Sequence, residues 1–183
     1  HCNILSPYLW PNYNWSVQGG IIIEAWDVVV IGGTIAGMRA AISAHDEGSN
    51  VVILSAQGLG NSNSDSYSSG LAASLNENNS MSHRNDTIKG GDWLNDQDIV
   101  SKRTALINSH IAQLDQWGLN FKRSLSGSPE AEKGLGHKTS RVLTTGDSTA
   151  REVQHILEEQ CIRRNILRRG DWLPLSLGHS NGQ

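Results

Sequence analysis

The stretch DVVVIGGTIAGMRAA, residues 27–41, constrains this chain more than any other. Val28, Val29, Val30 and Ile31 are β-branched and favour a strand. Glycines at 32, 33 and 37 bracket a tight turn, and Ala36, Ala40 and Ala44 then recur at helical spacing as a stripe of small residues. In the dinucleotide fingerprint G-x-G-x-x-G the first glycine makes the turn. The second lets backbone approach a pyrophosphate, and the third lets helix pack on strand. Gly32 and Gly37 fill the first and third places, whereas Thr34 puts a Cβ where the fingerprint keeps the backbone bare. Alone, the turn suits a phosphate at a helix N-terminus about as well as a purely structural role. Gly32, Gly33, Thr34, Ile35, Ala36 and Gly37 are the candidate phosphate-contacting residues.

The flanking pattern favours the nucleotide reading. A strand is predicted over 21–31, its continuous apolar end reading as buried on both faces. A helix is predicted over 37–47 with Gly48 as its C-cap, and a second strand over 51–54. This makes a strand-helix-strand unit of about 30 residues, the size of a βαβ crossover. The expected fold class is therefore α/β, a Rossmann-like parallel sheet with helices on both faces. Ser55 follows the second strand, where an acid would ordinarily hold a ribose; serine can bond a hydroxyl without identifying the nucleotide.

The rest of the chain is less regular. Residues 1–20 have no clear period and read as an irregular lead-in. Residues 57–70, QGLGNSNSDSYSSG, have the composition of a flexible linker, and 71–75 form a short apolar segment. The longest predicted helix covers 96–117. Asn95 or Asp96 caps it, Gly118 ends it, and Ile99, Val100, Leu106, Ile107, Ile111, Leu114 and Trp117 share one face. Residues 122–136 read as a loop and 141–144 as a strand. Residues 148–161 read as a helix with Val153, Ile156 and Leu157 inward. The tail, 162–183, has no assignable element, and its pairs Arg163-Arg164 and Arg168-Arg169 read as a solvated face.

Composition narrows the partners. A net charge of -3 gives no electrostatic footprint for nucleic acid. No apolar run reaches the roughly 18 residues of a membrane span. Cys2 and Cys161 make no disulfide framework, which points to a reduced, cytoplasmic compartment. No cysteine-histidine cluster has zinc spacing, so no metal site is expected. Residues 134–139, GLGHKT, lack the order of a P-loop, and no G-x-S-x-G elbow is present.

Several blocks, in order, carry a resemblance: DVVVIGGTIAGMRAA, VVILS, GNSNSDSYSSGLAAS, DTIKGGDWLNDQDIV, QLDQWGLNF and GHKTSRVLTTGDSTAREV. From Asp27 to about Cys161 the chain resembles the N-terminal part of the flavoprotein-subunit family of succinate dehydrogenase and fumarate reductase, which includes L-aspartate oxidase. The resemblance implies a Rossmann-like FAD-binding domain with an inserted capping domain. Residues 21–161 would be its first portion, and the capping domain would be absent. It also implies an FAD-dependent oxidoreductase acting on a dicarboxylate, with an iron-sulfur partner subunit and a location peripheral to a membrane through partner subunits.

The resemblance recasts the Ser/Asn segment as a binding loop. Ser55, Asn61, Ser62, Asn63, Ser64, Gly70 and Leu71 become cofactor-binding candidates, and small polar residues suit such a loop by leaving donors accessible. Asp147, in TGDSTARE, matches an aspartate that contacts FAD, while Asp147 or Ser148 can equally cap the following helix. His137 matches a histidine of some members and carries no assigned role. Respiratory members bind flavin covalently through a loop histidine; Asn63 stands there instead, which implies noncovalent FAD. The family's catalytic arginines and histidines lie beyond the matched stretch, so no catalytic residue is named. An L-aspartate oxidase-type enzyme and a truncated, non-catalytic FAD-binding fragment are the alternative readings. A NAD-binding Rossmann protein leaves the Ser/Asn loop and residues 145–152 unexplained. Within this frame Thr34 is expected to crowd the pyrophosphate, so that Thr34→Gly tightens FAD.

Overall fold

The structure, a computed structural model, describes residues 24–57, 70–75 and 80–178. The chain divides into two compact units, His1–Asn63 with Leu157–Gln183, and Ser64–Ile156.

The first unit is built on a parallel sheet. Strand β1 (Val28–Ile31) leads through the glycine turn into helix α1 (Ile35–Asp46), and β2 (Val51–Leu54) follows. β1 pairs with β2 in parallel, from Val28 opposite Val51 to Ile31 opposite Leu54. The third strand comes from the tail: β6 (Leu167–Arg169) pairs in parallel with the other edge of β2. The order β1-β2-β6 makes β2 the central strand. All four of its residues are accordingly buried, whereas β1 is half-buried with Ile31 exposed. Burial on both faces thus belongs to β2 rather than to β1. Within the described residues β1 is also shorter than the predicted strand, since 24–27 lie outside it and 21–23 are not described.

Helix α1 packs on β1 and β2 through Met38, Ala41 and Ile42. Ala41 is fully buried, whereas the predicted stripe of small residues is not the packed face: Ala36 and Ala40 are exposed and Ala44 is half-buried, because the helix turns Met38, Ala41 and Ile42 to the sheet instead. Helix α4 (Thr149–Arg163) runs from one unit into the other and matches the predicted helix closely, with Val153 and Leu157 buried. Cys161 is fully buried, and burial pushes its thiol up to about 11, so it stays protonated at neutral pH.

The arginine pairs are not a solvated face. Arg164 pairs with Asp46 at 2.7 Å, Arg168 with Glu158 at 2.9 Å and Arg169 with Glu24 at 2.6 Å. The reason is topological. The pairing of β6 with β2 returns the tail to the first unit, where Arg164 meets Asp46 at the end of α1, Arg168 meets Glu158 of α4, and Arg169 meets Glu24 ahead of β1. Among the described residues Arg163 pairs only with Glu159, one turn away on its own helix, and stays exposed.

The second unit holds helices α2 (Ser80–Gly90) and α3 (Gln97–Gln116), which pack together, and an antiparallel sheet. Its strands are β3 (Leu71–Ala72), β4 (Ala131–Glu132) and β5 (Val142–Leu143), in the order β3-β5-β4. Helix α3 has the boundaries its sequence demands. Asp96 accepts from the Asp98 and Ile99 amides, both at 3.0 Å, and Gly118 leaves the helix at φ +103°. We expect Asp96→Ala to cost about 1 kcal/mol, the usual worth of an N-cap, readable as a shift in urea midpoint; no shift would mean that solvent satisfies those amides equally well.

Its apolar face differs from expectation. Ile111 is buried with Thr104, but Ile99 and Leu106 are about half exposed. Residues 122–136 are not wholly a loop, because β4 lies within them. No helix among the described residues is long and apolar enough to cross a membrane.

Candidate functional site

The glycine turn is fixed by its neighbours. Gly32 takes φ +114°, a region that L side chains rarely enter, and its amide donates to the Leu54 carbonyl at 2.7 Å. The turn is thereby tied to the C-terminal end of β2. Gly33 faces Ser55, and a Cβ there would stand 3.2 Å from that side chain's Cβ and Oγ. A Cβ on Gly37 would stand 1.9 Å from the Gly32 carbonyl oxygen and 3.4 Å from Val30 Cγ1. Gly37 therefore has the close-packing role that the fingerprint gives its third glycine.

Thr34 holds an ordinary extended conformation, φ -81° and ψ 172°, so the backbone does not demand glycine there. It is the N-cap of α1: its Oγ1 accepts from the Gly37 amide at 3.5 Å, and its carbonyl accepts from the Met38 amide at 2.9 Å. Ile35 and Ala36 form the first turn, whose amides lack intrahelical acceptors. No acidic residue lies in that turn to compete for its positive end. Bare Cα atoms, open first-turn amides and a helix N-terminus at the end of a parallel strand together fit a pyrophosphate.

Ser55 is buried, and its backbone is held on both sides. Its amide donates to the Arg169 carbonyl at 2.9 Å, and its carbonyl accepts from the Trp172 amide at 2.8 Å. The Arg169 guanidinium stacks 4.8 Å from the centroid of the Trp172 ring. Neither residue was a candidate from sequence. The only signal was an unclaimed apolar-basic run in the tail, too short to read as a strand.

The remaining candidates belong to the second unit or are not described. Gly70 sits against β5: a Cβ there would meet Val142 Cγ1 at 2.5 Å and the Leu143 carbonyl oxygen at 2.8 Å. Leu71 opens β3 opposite Leu143. Asp147 is exposed on the turn between Gly146, at φ +123°, and α4. The side chain that braces this turn is Thr149, whose hydroxyl accepts from the Thr145 amide at 3.2 Å. Asn61, Ser62, Asn63 and Ser64 lie outside the described residues, as does most of the segment first read as linker.

A buried polar cluster in the second unit was also missed. Arg141 and Asp86, with side chains 2% and 3% exposed, pair at 3.2 Å. Arg141 Nη2 also donates to the Ser82 and Thr139 hydroxyls, and Asp86 accepts from the Lys138 amide at 2.9 Å. His83 meets His137 edge-on, with ring centroids 5.8 Å apart. Burial, then the Arg141 and His137 charges, pushes the His83 imidazole below its ordinary range, which favours the neutral ring. His137 is thus part of a packed cluster.

A parallel sheet with a glycine turn feeding a capped helix defines an α/β dinucleotide-binding protein. The comparisons make the class specific: the model of the FAD binding domain family matches residues 27–182, and the chain belongs to that family. The match takes in the turn, β6 and the segment carrying Trp172. FAD is the cofactor this family implies.

The chain is 31% identical over 161 residues to the fumarate reductase flavoprotein subunit of Mycobacterium tuberculosis, covering 86% of this chain and 28% of that protein. It is 28% identical over 174 residues to the succinate dehydrogenase flavoprotein subunit of Rickettsia bellii, covering 89% of this chain and 29% of that protein. Among solved structures, a FrdA variant of E. coli quinol fumarate reductase superposes with a TM-score of 0.73 at 27% identity, covering 78% of this chain and 25% of that one. The chain therefore spans less than a third of the length of these relatives. Both curated relatives are named as subunits.

Proposed function

We propose that this chain is the FAD-binding part of a flavin-dependent oxidoreductase acting on a dicarboxylate of the succinate and fumarate type. One observation carries the reading: similarity to flavoprotein subunits of both succinate dehydrogenase and fumarate reductase extends through the glycine turn and over most of the chain. Bound FAD supplies the hydride-transfer chemistry.

This chain's residues hold the cofactor. The Ile35 and Ala36 amides, at the positive end of α1, would hold the pyrophosphate, and Gly33 leaves room for the Ser55 side chain beside the turn. Ser55 offers a hydroxyl at the end of β2, where a ribose is held in such folds. The family resemblance makes Asn61, Ser62, Asn63, Ser64, Gly70, Leu71 and Asp147 further residues that would contact FAD. Asn63 in place of the histidine of the resembling respiratory enzymes makes the attachment noncovalent. Residues 21–161, with the tail as added sheet, form the first portion of the FAD domain. An iron-sulfur partner subunit takes the electrons, and the assembly lies peripheral to a membrane through its partners.

The protein containing this chain is expected to purify with flavin absorbance. Acid precipitation should release the flavin to the supernatant; flavin retained in the pellet would establish a covalent link, and no flavin at all would end the proposal. Reduced-viologen-dependent fumarate reduction separates this activity from the second reading, an L-aspartate oxidase-type enzyme. Noncovalent FAD favours that alternative, and aspartate-dependent peroxide formation is its signature.

A further inference from the structure

We propose that the Thr34 hydroxyl is itself a ligand of the FAD pyrophosphate, doing with a side chain what the fingerprint's middle glycine does with bare backbone. The inference rests on the FAD reading above. The side chain is turned back along the helix entrance, with Oγ1 accepting from the Gly37 amide at 3.5 Å. That contact uses a lone pair and leaves the hydroxyl proton uncommitted, since a threonine hydroxyl is one donor and two acceptors. Among the described residues the proton has no acceptor, although Thr34 is half-buried.

Capping also sorts the amides of the first turn. Gly37, the third helical residue, is occupied by Thr34, while Ile35 and Ala36 keep their N–H groups for an anion. A phosphate held by those amides would find a hydroxyl donor at the same helix end, and O–H donation to an anionic oxygen is among the stronger hydrogen bonds. The expected sign of Thr34→Gly is thereby reversed. Removing the side chain removes a donor and a cap, because the backbone at this position is already in a conformation open to any residue.

The test is FAD affinity of the apoprotein, read by quenching of flavin fluorescence, with the thermal midpoint of each apoprotein measured in parallel. Thr34→Ser, which keeps the hydroxyl, is expected within about twofold of wild type. Thr34→Val, of the same shape without the donor, is expected to bind about tenfold more weakly, and Thr34→Gly several-fold more weakly. Thr34→Asp keeps a good cap but cannot donate; its apoprotein midpoint should hold while FAD affinity falls at least a hundredfold. Valine, glycine or aspartate variants that bind FAD as tightly as wild type overturn the proposal. A wild-type protein that binds no FAD overturns the underlying reading as well, and that outcome is distinct because it appears before any substitution.

Discussion

Gly37→Ala is expected to abolish FAD binding and to destabilise the first unit by at least the upper end of the ~1–3 kcal/mol typical of overpacking. The added methyl would stand 1.9 Å from the Gly32 carbonyl oxygen, a backbone atom that no rotamer change can move. Relief requires α1 to lift from the turn, and Gly32 is anchored to Leu54. Lifting the helix displaces the amides of Ile35 and Ala36, so stability and cofactor affinity should fall together. Gly48→Ala is the matched control. Gly48 has nothing within 4 Å of its would-be Cβ, but it takes φ +91°, so alanine there costs only local backbone strain, about 1–2 kcal/mol. Urea midpoints of the two variants decide the matter: equal losses would mean that the close approach of helix and turn is not what glycine serves at 37.

The second large effect is expected at the Asp86–Arg141 pair. Arg141→Met should cost about 3–5 kcal/mol, because it leaves a carboxylate unpaired in a site only 3% exposed. Asp86→Leu should cost a similar amount, since it strands a guanidinium whose Nε and Nη1 already find no partner among the described residues. The double variant should lose much less than the sum of the two, because neither charge then remains buried alone. Its residual loss comes from the Lys138 amide, which donates to Asp86. Additivity within about 0.5 kcal/mol in a denaturant cycle would show that the pair is not coupled.

What could be read from the sequence was local. The turn, β2, α1 and α3 declared themselves because their signals lie within a few residues: a run of branched residues, three glycines, Asp96 before a periodic segment and Gly118 after it. Helix α2 was invisible for the opposite reason. Its buried residues are His83, Asp86 and Ile88, so two of the three are polar, and the group that makes Asp86 tolerable inside is Arg141, far along the chain. β6 was missed because three residues, two of them arginine, look like a strand only beside β2 and their carboxylate partners. Ile99 and Leu106 failed in the other direction, since periodicity places residues on one face without saying what covers it.

The candidate site shows the same division. The residues from Gly32 to Gly37 were legible because a turn, a strand end and a helix start fall in six positions. The role proposed for Thr34 was not, because it depends on where one hydroxyl points. Arg169 and Trp172, which clasp the backbone of Ser55, could not have been joined to it without the sheet.

That sheet has a consequence for how the protein is made. β1, α1 and β2 are contiguous and can pair as soon as residue 54 has been synthesised, but the other edge of β2 waits for residues 167–169. Through that interval the nascent chain carries the strand destined to be its most buried with one row of amides and carbonyls unpaired, a template for joining another chain. Helix α4, which delivers β6 to this edge, therefore sets when the open side of β2 is closed.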